Sequence, residues 1–515
     1  MSQVSKKPAP TPGPTPDRRG DPTTAPPVLD ASLEQPSVGA SRLTVLTPRI
    51  LELELVTTMG RGRSPERWDF VHGTKAELPG PERFAVTAAG QSVQVSRVGF
   101  RRRATYAPLH HRDLRISNRL YLEIARPLPD GVHVEVKNPD GAVFGEATRF
   151  ETDLAPMRQS PAVHASQVGY APDWVKKAFV GYYLGTLGEL EIKESSFWLV
   201  DATSGERVFH GRLTPRREGG QPYATPPYQK VLEADFSAFH RPGQYVLVVP
   251  GVGASYRFRI DEGISAVVAR TYALGLYHQR CGADIGLPFT RFAHARCHTD
   301  SVEIPSLGNA KVRERLLGFT QGAEKNPRHT APIVKELDAD LYRFARTGKV
   351  DVSGGHHDAG DYGKYTFNSA QLVHELVFAA DAFPGAATLD NLGLPESGDG
   401  LSDLLQIARY EAEMLAKLQD ADGGFYYLVQ PKNRAYEGDV LPERGDRQVV
   451  FPKNTIATAA ASAALAQTAS SPGFRKAFPA DAARYLASAR RGWDFLRTAR
   501  GRFGGDGSYQ RIGHY

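Results

Sequence analysis

Hydrophobic and polar residues change rhythm along this 515-residue chain. Between Ser41 and Leu154 the period is two, which sends alternate side chains to opposite faces of a strand. It is plainest in Leu-Glu-Leu-Glu-Leu at Leu51 to Leu55, within a strand-like run from Leu43 to Val56. Phe84 to Val98 repeats it around the turn candidate Ala88-Ala89-Gly90-Gln91. Leu120 to Val136 holds two alternating runs split by Pro129-Asp130-Gly131, and Asp-Gly between such runs predicts a hairpin. Short strands with frequent turns predict a β-sandwich over residues 41–155. A second β-rich stretch, Ala162 to Asp261, has strand candidates at Lys177–Tyr183 and Phe197–Asp201. Pro250-Gly251-Val252-Gly253 joins two more, Gln244–Val249 and Ser255–Ile260, so residues 161–262 predict another immunoglobulin-like sandwich.

Beyond residue 263 the apolar spacing becomes three and four. Ile264 to Gln279 predicts a helix with Ser265 as its N-cap. Phe367 to Ala382, closed by Pro384, predicts another, as does Thr455 to Thr468. Leu401, Leu404, Leu405, Ala408, Ala412, Leu415 and Leu418 fall on one helical face. Ala482, Tyr485, Leu486, Ala489, Trp493 and Leu496 form a further one. The chain from 263 to 515 is therefore mainly α, and its long loops hold most of the Gly, His and Asp. Polar, non-repetitive loops on a helical frame are where active sites concentrate.

Length predicts about three domains. With 41% hydrophobic and 23% charged residues the composition is that of a globular protein. No stretch approaches the ~18 apolar residues of a membrane span, so no membrane span is expected. The net charge is +6, but basic residues are scattered. Arg101-Arg102-Arg103 reads as a solvated face beside a strand, and no nucleic-acid-binding motif surrounds it. Residues 1–40, rich in Pro, Thr and Asp, predict a disordered tail; Met1 to Val28 has lysines at 6 and 7 but no apolar core of an export signal. The sequence is silent on oligomeric state.

Candidate chemistry centres on Gly354-Gly355-His356-His357-Asp358-Ala359-Gly360-Asp361, just before a helix. Hydrolysing a glycosidic bond takes one carboxylate to accept a proton from water and one carboxylic acid to protonate the leaving oxygen. Asp358 and Asp361 are too close in sequence to straddle a sugar ring in those two roles. They suit one water held between a base and its orienter, with Ala359 and Gly360 letting the backbone bend. A surface Asx-turn or a metal loop has the same spacing.

The run Gly354 to Asp361 with Tyr362-Gly363-Lys364-Tyr365 resembles the signature loop of glycoside hydrolase family 9, the inverting cellulases and their relatives. Ser166-Gln167-Val168-Gly169-Tyr170 with Lys176-Lys177-Ala178 resembles the start of that family's N-terminal immunoglobulin-like domain. Pro395-Glu396-Ser397-Gly398-Asp399-Gly400 resembles the approach to its third barrel helix, and Asp422-Gly423-Gly424-Phe425 the glycine-rich turn that follows. The resemblance covers about Pro161 to Tyr515, leaving residues 41–155 as an accessory β domain. It implies two β-sandwiches followed by the N-terminal part of an (α/α)6 barrel over 263–515, and an inverting, cellulase-like hydrolase cutting β-1,4-glucan outside the cell or in the periplasm. An exo-acting glucosaminidase of the same family and a non-catalytic glycan-binding protein are the alternatives. Asp361 would be the general base and Asp358 would position the attacking water. Many members have Trp or another aromatic where this chain has His356. Tyr362, Tyr365, Tyr426 and Tyr427 are candidates for stacking on sugar rings or for packing, and His329 could line the cleft.

Two cysteines are too few for a disulfide scaffold. Cys281, Cys297, His298 and His357 comprise two thiols and two imidazoles, which suit tetrahedral zinc. By spacing alone a Cys281–Cys297 disulfide or two buried thiols remain open. The resemblance implies a structural zinc on these four residues, pinning the Asp358–Asp361 loop; calcium is a further candidate ion. It also implies a late glutamate as general acid. Glu411 and Glu413 lie on helices assigned to packing or surface, so the acid is expected outside this sequence, the chain is expected to be a fragment of a longer one, and such a fragment is expected to be inactive.

Overall fold

The computed structural model describes residues 36–60, 67–72, 75–106, 113–216, 230–304, 342–432, 441–445 and 447–503. Contacts divide them into a β unit, 35–271, and a helical unit, 272–515. The candidate His329 lies outside the described residues.

The β unit opens with strands β1 (Ser41–Thr47), β2 (Ile50–Gly60), β3 (Ala85–Ala88), β4 (Gln91–Val93), β5 (Val95–Tyr106), β6 (Asp113–Ile124), β7 (His133–Lys137) and β8 (Phe150–Asp153). They form two four-stranded sheets, β1-β2-β6-β5 and β8-β7-β3-β4. Leu51, Leu53 and Leu55 from one sheet meet Val86, Val134, Val136 and Phe150 from the other in a common core. The turn at 88–91 is a hairpin: Ala88 pairs with Gln91, and Ala89 and Gly90 both have positive φ, as two-residue hairpins need. Pro129-Asp130-Gly131 is not a hairpin. β6 and β7 belong to different sheets, so the segment carries the chain across the sandwich. The apolar sides of both runs then face one core, which tertiary packing rewards more than a local turn does.

The second sandwich comprises β9 (Val163–His164), β10 (Lys177–Val180), β11 (Ser196–Asp201), β12 (Arg207–Pro215), β13 (Leu232–Asp235), β14 (Gly243–Val249), β15 (Gly253–Ala254) and β16 (Phe258–Ile260). Its order is β9-β10-β13-β12-β11-β14-β15, with β16 also on β14. Strand β12 serves two neighbours. Arg207 to Arg212 pair with β11, while Leu213 to Pro215 pair with β13. Leu46 and Tyr121 of the first sandwich join the core of the second. That explains an oddity of the Leu-Glu alternation: Glu52 is as buried as its leucine neighbours. Its face of β2 meets the second sandwich, where the Tyr182 hydroxyl donates to it at 2.7 Å and Arg119 lies 3.6 Å away. The arginine run is not a free solvated face either. Arg101 donates to the Tyr183 carbonyl, and Arg102 pairs with Asp69 at 3.1 Å.

Helix α1 (Ile264–His278) starts one residue before Ser265, so that serine lies inside the first turn and does not cap it. Asp261 shapes the entry instead, its carboxylate accepting from Gly263 N–H and its carbonyl from Ile264 N–H. The helical unit then places α2 (Thr366–Ala382), α3 (Asp403–Lys417), α4 (Thr455–Ser470) and α5 (Pro479–Phe503). Helix α2 packs between α3 and α4, and α4 packs on α5. Val373 and Val377, Leu405, Ala408, Ala412 and Leu415, Ala461 and Leu465, and Tyr485 and Ala489 make their shared core. On α5 the expected face is displaced at its end, since Trp493 is 62% exposed while Phe495 is buried. Gly492 is the reason: a Cβ there would sit 2.0 Å from Ser462 Oγ, so the missing side chain lets α5 close on α4 along this line. A small sheet of β17 (Lys364–Tyr365), β18 (Leu428–Pro431) and β19 (Gln448–Val450) ties the end of the carboxylate loop to the unit. Among the described residues no helix is long and apolar enough to cross a membrane.

Candidate active site and metal centre

The loop carrying the two aspartates is fastened at both ends. Its first half runs antiparallel to the residues after α1: His357 N–H donates to Gln279 O at 2.7 Å and Cys281 N–H to Gly355 O at 2.8 Å. Gly355 has φ +70°, and a Cβ there would fall 2.7 Å from Met414 on α3, so glycine is required. The second half closes on itself. Asp358 N–H donates to Gly363 O at 2.8 Å, and Asp361 Oδ1 accepts from Gly363 N–H at 3.0 Å.

The start of α2 holds the two carboxylates separately. Asn368 Nδ2 donates to Asp358 Oδ1 at 2.7 Å, and the Tyr365 hydroxyl donates to Asp361 Oδ2 at 3.0 Å. Both aspartates are half-buried. The loop is therefore more than an exposed Asx-turn: two acceptor groups sit on a braced backbone turn. Tyr365 and Asn368 were not singled out as carboxylate partners by sequence; their position one and four residues after Lys364 on a helix start is the signal.

Cys281, Cys297, His298 and His357 converge, with one donor atom from each lying within 4.8 Å of the others. Cys281 Sγ is 3.8 Å from His298 Nδ1, Cys297 Sγ is 3.8 Å from His357 Nε2, and the two nitrogens are 3.3 Å apart. Metal–ligand lengths of about 2.3 Å to sulfur and about 2.0 Å to nitrogen at tetrahedral angles give about 3.5 Å for S···N and about 3.3 Å for N···N. The donor set and its spacing fit a metal ion. Both cysteines are buried and free of a disulfide. A hydrogen bond from the Cys297 thiol, aided by the Lys364 ammonium, holds Cys281 well below the usual thiol range. Cys297, the donor in that bond, is pushed up. Burial lowers His357, favouring the neutral imidazole that a metal requires. Among the described residues no other group of three or more His, Cys, Asp or Glu side chains converges.

His356 is not a stacking platform. It is 6% exposed, and its Nδ1 lies 2.6 Å from Glu411 Oε2 of α3. Tyr426 is fully buried and packs under the helices. Tyr362 lies over the cluster, its ring 5.2 Å from His357, and Tyr427 packs edge-on against Phe451. Glu411 is thus committed to His356, and Glu413 pairs with Arg484; neither is free to donate a proton to a leaving group. Three further residues make contacts that the sequence did not suggest. Lys364 is wholly buried. Glu396 forms a buried two-pronged pair with Arg280. Lys453 lies 2.7 Å from both Asp420 and Asp422, bracing the Asp422-Gly423-Gly424 turn. Only Glu411 left a trace, as a charge on the apolar face of α3 between Ala408 and Leu415.

Two parts of the chain match known protein families. Residues 267–515 match the family model for glycosyl hydrolase family 9, and residues 158–254 match that for the cellulase N-terminal ig-like domain. Endoglucanase D of Acetivibrio thermocellus is 25% identical over 339 residues, spanning 65% of this chain and 45% of that protein. A xyloglucan-specific endo-beta-1,4-glucanase of Bacteroides ovatus is 25% identical over 334 residues, spanning 64% and 49%. The crystal structure of a metagenome-derived glycoside hydrolase family 9 endoglucanase superposes with a TM-score of 0.50 at 29% identity, covering 65% of this chain and 54% of that one. The chain thus spans about half the length of the curated relatives it matches.

Proposed function

We propose, for a chain whose residues 267–515 belong to glycosyl hydrolase family 9, the base half of an inverting glycoside hydrolase that cuts β-1,4-glucan. The observation that carries the reading is the bracing of the two loop carboxylates by Tyr365 and Asn368. Asp361 accepts the proton of the attacking water. Asp358 orients that water, so that it reaches the anomeric carbon from the face opposite the departing sugar. Inversion needs the acid on the other side of the sugar, and none of the glutamates on α3 serves. Supporting the substrate class are the endoglucanase names of the matched relatives; a polymeric glucan places the enzyme's work outside the cell.

The helical unit is read as part of an (α/α)6 barrel, behind an accessory sandwich at 41–155 and an ig-like domain at 161–262. The four-donor cluster is read as structural zinc. Two sulfurs and two nitrogens at tetrahedral spacing select zinc over magnesium or calcium. Four protein ligands leave the ion no open position for water, so it supplies rigidity: His357 is anchored, and Asp358 follows it directly in the chain.

The test is reducing-sugar release from soluble β-glucan by the chain extended to the length of its relatives, and by the Asp361→Asn variant of that extended chain. General-base loss should cost about 10²- to 10⁴-fold in rate with an unchanged melting temperature. Equal cleavage by both proteins overturns Asp361 as base. Absence of cleavage with retention of the protein in glucan-containing gels favours a glycan-binding role.

A further inference from the structure

Lys364 closes the carboxylate loop from the inside, and we propose that it is a positioning residue that directs the Cys281 sulfur into the metal cluster while clasping the two ends of the loop. The proposal rests on the zinc reading above. Lys364 has no exposed surface. A lysine ammonium carries three N–H donors, and all three are used. They go to the Val352 carbonyl, to the Gly354 carbonyl at 3.3 Å and to Cys281 Sγ at 3.4 Å. The two carbonyls lie at the beginning of the loop and Lys364 at its end, so one ammonium spans His356, His357, Asp358 and Asp361.

Among the described residues no carboxylate lies within ion-pair distance of Lys364. A buried ammonium is costly unless paired, and a methionine of similar length would fill the space with less desolvation. Lysine gains something methionine lacks: an N–H donor to a metal-ligating sulfur. Donors of this kind orient the ligand and draw charge from it, and losing one typically weakens metal binding about 10- to 100-fold.

The loop has a second lysine tether that serves as an internal control. Lys417 donates to the Ser353 carbonyl and hydroxyl, each at 3.1 Å, and pairs with Asp351 at 3.0 Å. No sulfur contact is made. If Lys364 were only a loop clasp, removing either lysine would affect the cluster alike.

The experiment compares the full chain with its Lys364→Met, Lys364→Gln and Lys417→Met variants, each with circular dichroism to establish folding. Zinc affinity is read by competition with a chromophoric chelator, and cobalt(II) is then loaded in zinc's place for absorption spectroscopy. Expected is an affinity about 10- to 100-fold lower in the Lys364 variants. A shift of the sulfur-to-cobalt charge-transfer band to longer wavelength should accompany it, because sulfur without its N–H donor gives up electrons more readily. Lys417→Met should match the parent in both. Should Lys364→Met fail to fold, Lys364→Gln carries the same readouts. A parent-like affinity and spectrum in the folded Lys364 variants overturns the proposal, and so do equal changes in the Lys364 and Lys417 variants. A parent chain that binds neither ion overturns the zinc reading instead.

Discussion

Removing the metal should loosen the helical unit and spare the β unit. The four donors close two long stretches of chain. Cys281 and His298 are 17 residues apart, and Cys297 and His357 are 60 apart. The loop-closure relation used for disulfides gives about 3 kcal/mol for the shorter and about 4 kcal/mol for the longer. Counting only the shorter, and about 2 °C per kcal/mol for a unit of this size, the helical transition should fall by at least about 6 °C. The assay is scanning calorimetry on the full chain before and after dialysis against a high-affinity zinc chelator, with metal content measured in both. The Cys297→Ser variant should reproduce the chelated protein. Two results refute the reasoning: purified protein with far less than one zinc per chain, or stoichiometric zinc whose removal moves neither transition. An equal fall in both transitions would show a general chelator effect unrelated to these four residues.

Other expectations follow from single contacts. Arg119→Met removes the cation lying between Glu52 and Glu54 and should destabilise the β unit by about 3–5 kcal/mol at neutral pH. Burial holds Glu52 above its usual range, so its stabilising contribution is fully present below pH 4.5 and lost as pH rises through the raised value. Burial of Glu54 is outweighed by Arg119, Ser117 and Arg42, which hold it low; its contribution is present above pH 4.5 and lost as pH falls through the lowered value. Without Arg119 both carboxylates take up protons more readily, so the deficit between variant and parent should shrink toward pH 4; urea melts showing a constant deficit would contradict this. In the chain extended to the length of its relatives, Tyr365→Phe should lower kcat on soluble β-glucan about tenfold with KM unchanged, since one hydrogen bond to the proposed base is lost; an equal rise in KM would make Tyr365 a substrate contact. Glu411→Ala strands the buried His356 imidazole and should cost about 1–3 kcal/mol in thermal or urea melts of the helical unit; an unchanged midpoint would mean the pair is dispensable.

Much of the fold was legible because burial writes a period into the sequence. The hairpin turn at 88–91 and helices α2, α3 and α4 stand within a few residues of their predicted bounds. The failures have one cause. Local pattern cannot register a partner distant in sequence. Asp130-Gly131 has hairpin chemistry, yet both flanking runs face one core from different sheets. Trp493 continues an apolar heptad-like series, yet Gly492 turns the seam toward Phe495. Glu52 within Leu51–Leu55 looks solvated, yet the second sandwich covers it. In the site, the ligand quartet and the aspartates were legible through resemblance in a way that spacing alone left open. Lys364 and the Arg280–Glu396 pair were not, since charged residues are ordinarily exposed and only the fold shows otherwise.

The two aspartates look equivalent in sequence, three residues apart with small residues between, but their supports differ. Asp358 follows a metal-ligand candidate directly, its own N–H is fixed by Gly363 O, and Asn368 reaches it from the first turn of α2. Asp361 lies past the exposed Gly360 and depends on Gly363 N–H and the Tyr365 hydroxyl. A group that only orients water gains from rigidity, because any rotation misaims the attack. A group that accepts a proton changes its charge, and Asp361 is held by two neutral donors on a short turn, with no ion-paired cation among the described residues. Lys364, the nearest candidate for such a cation in the chain, spends its donors on two carbonyls and a sulfur instead. The same lysine that braces the loop is thereby kept off the carboxylate, in keeping with the proposal that Asp358 holds the water rigidly and Asp361 accepts its proton.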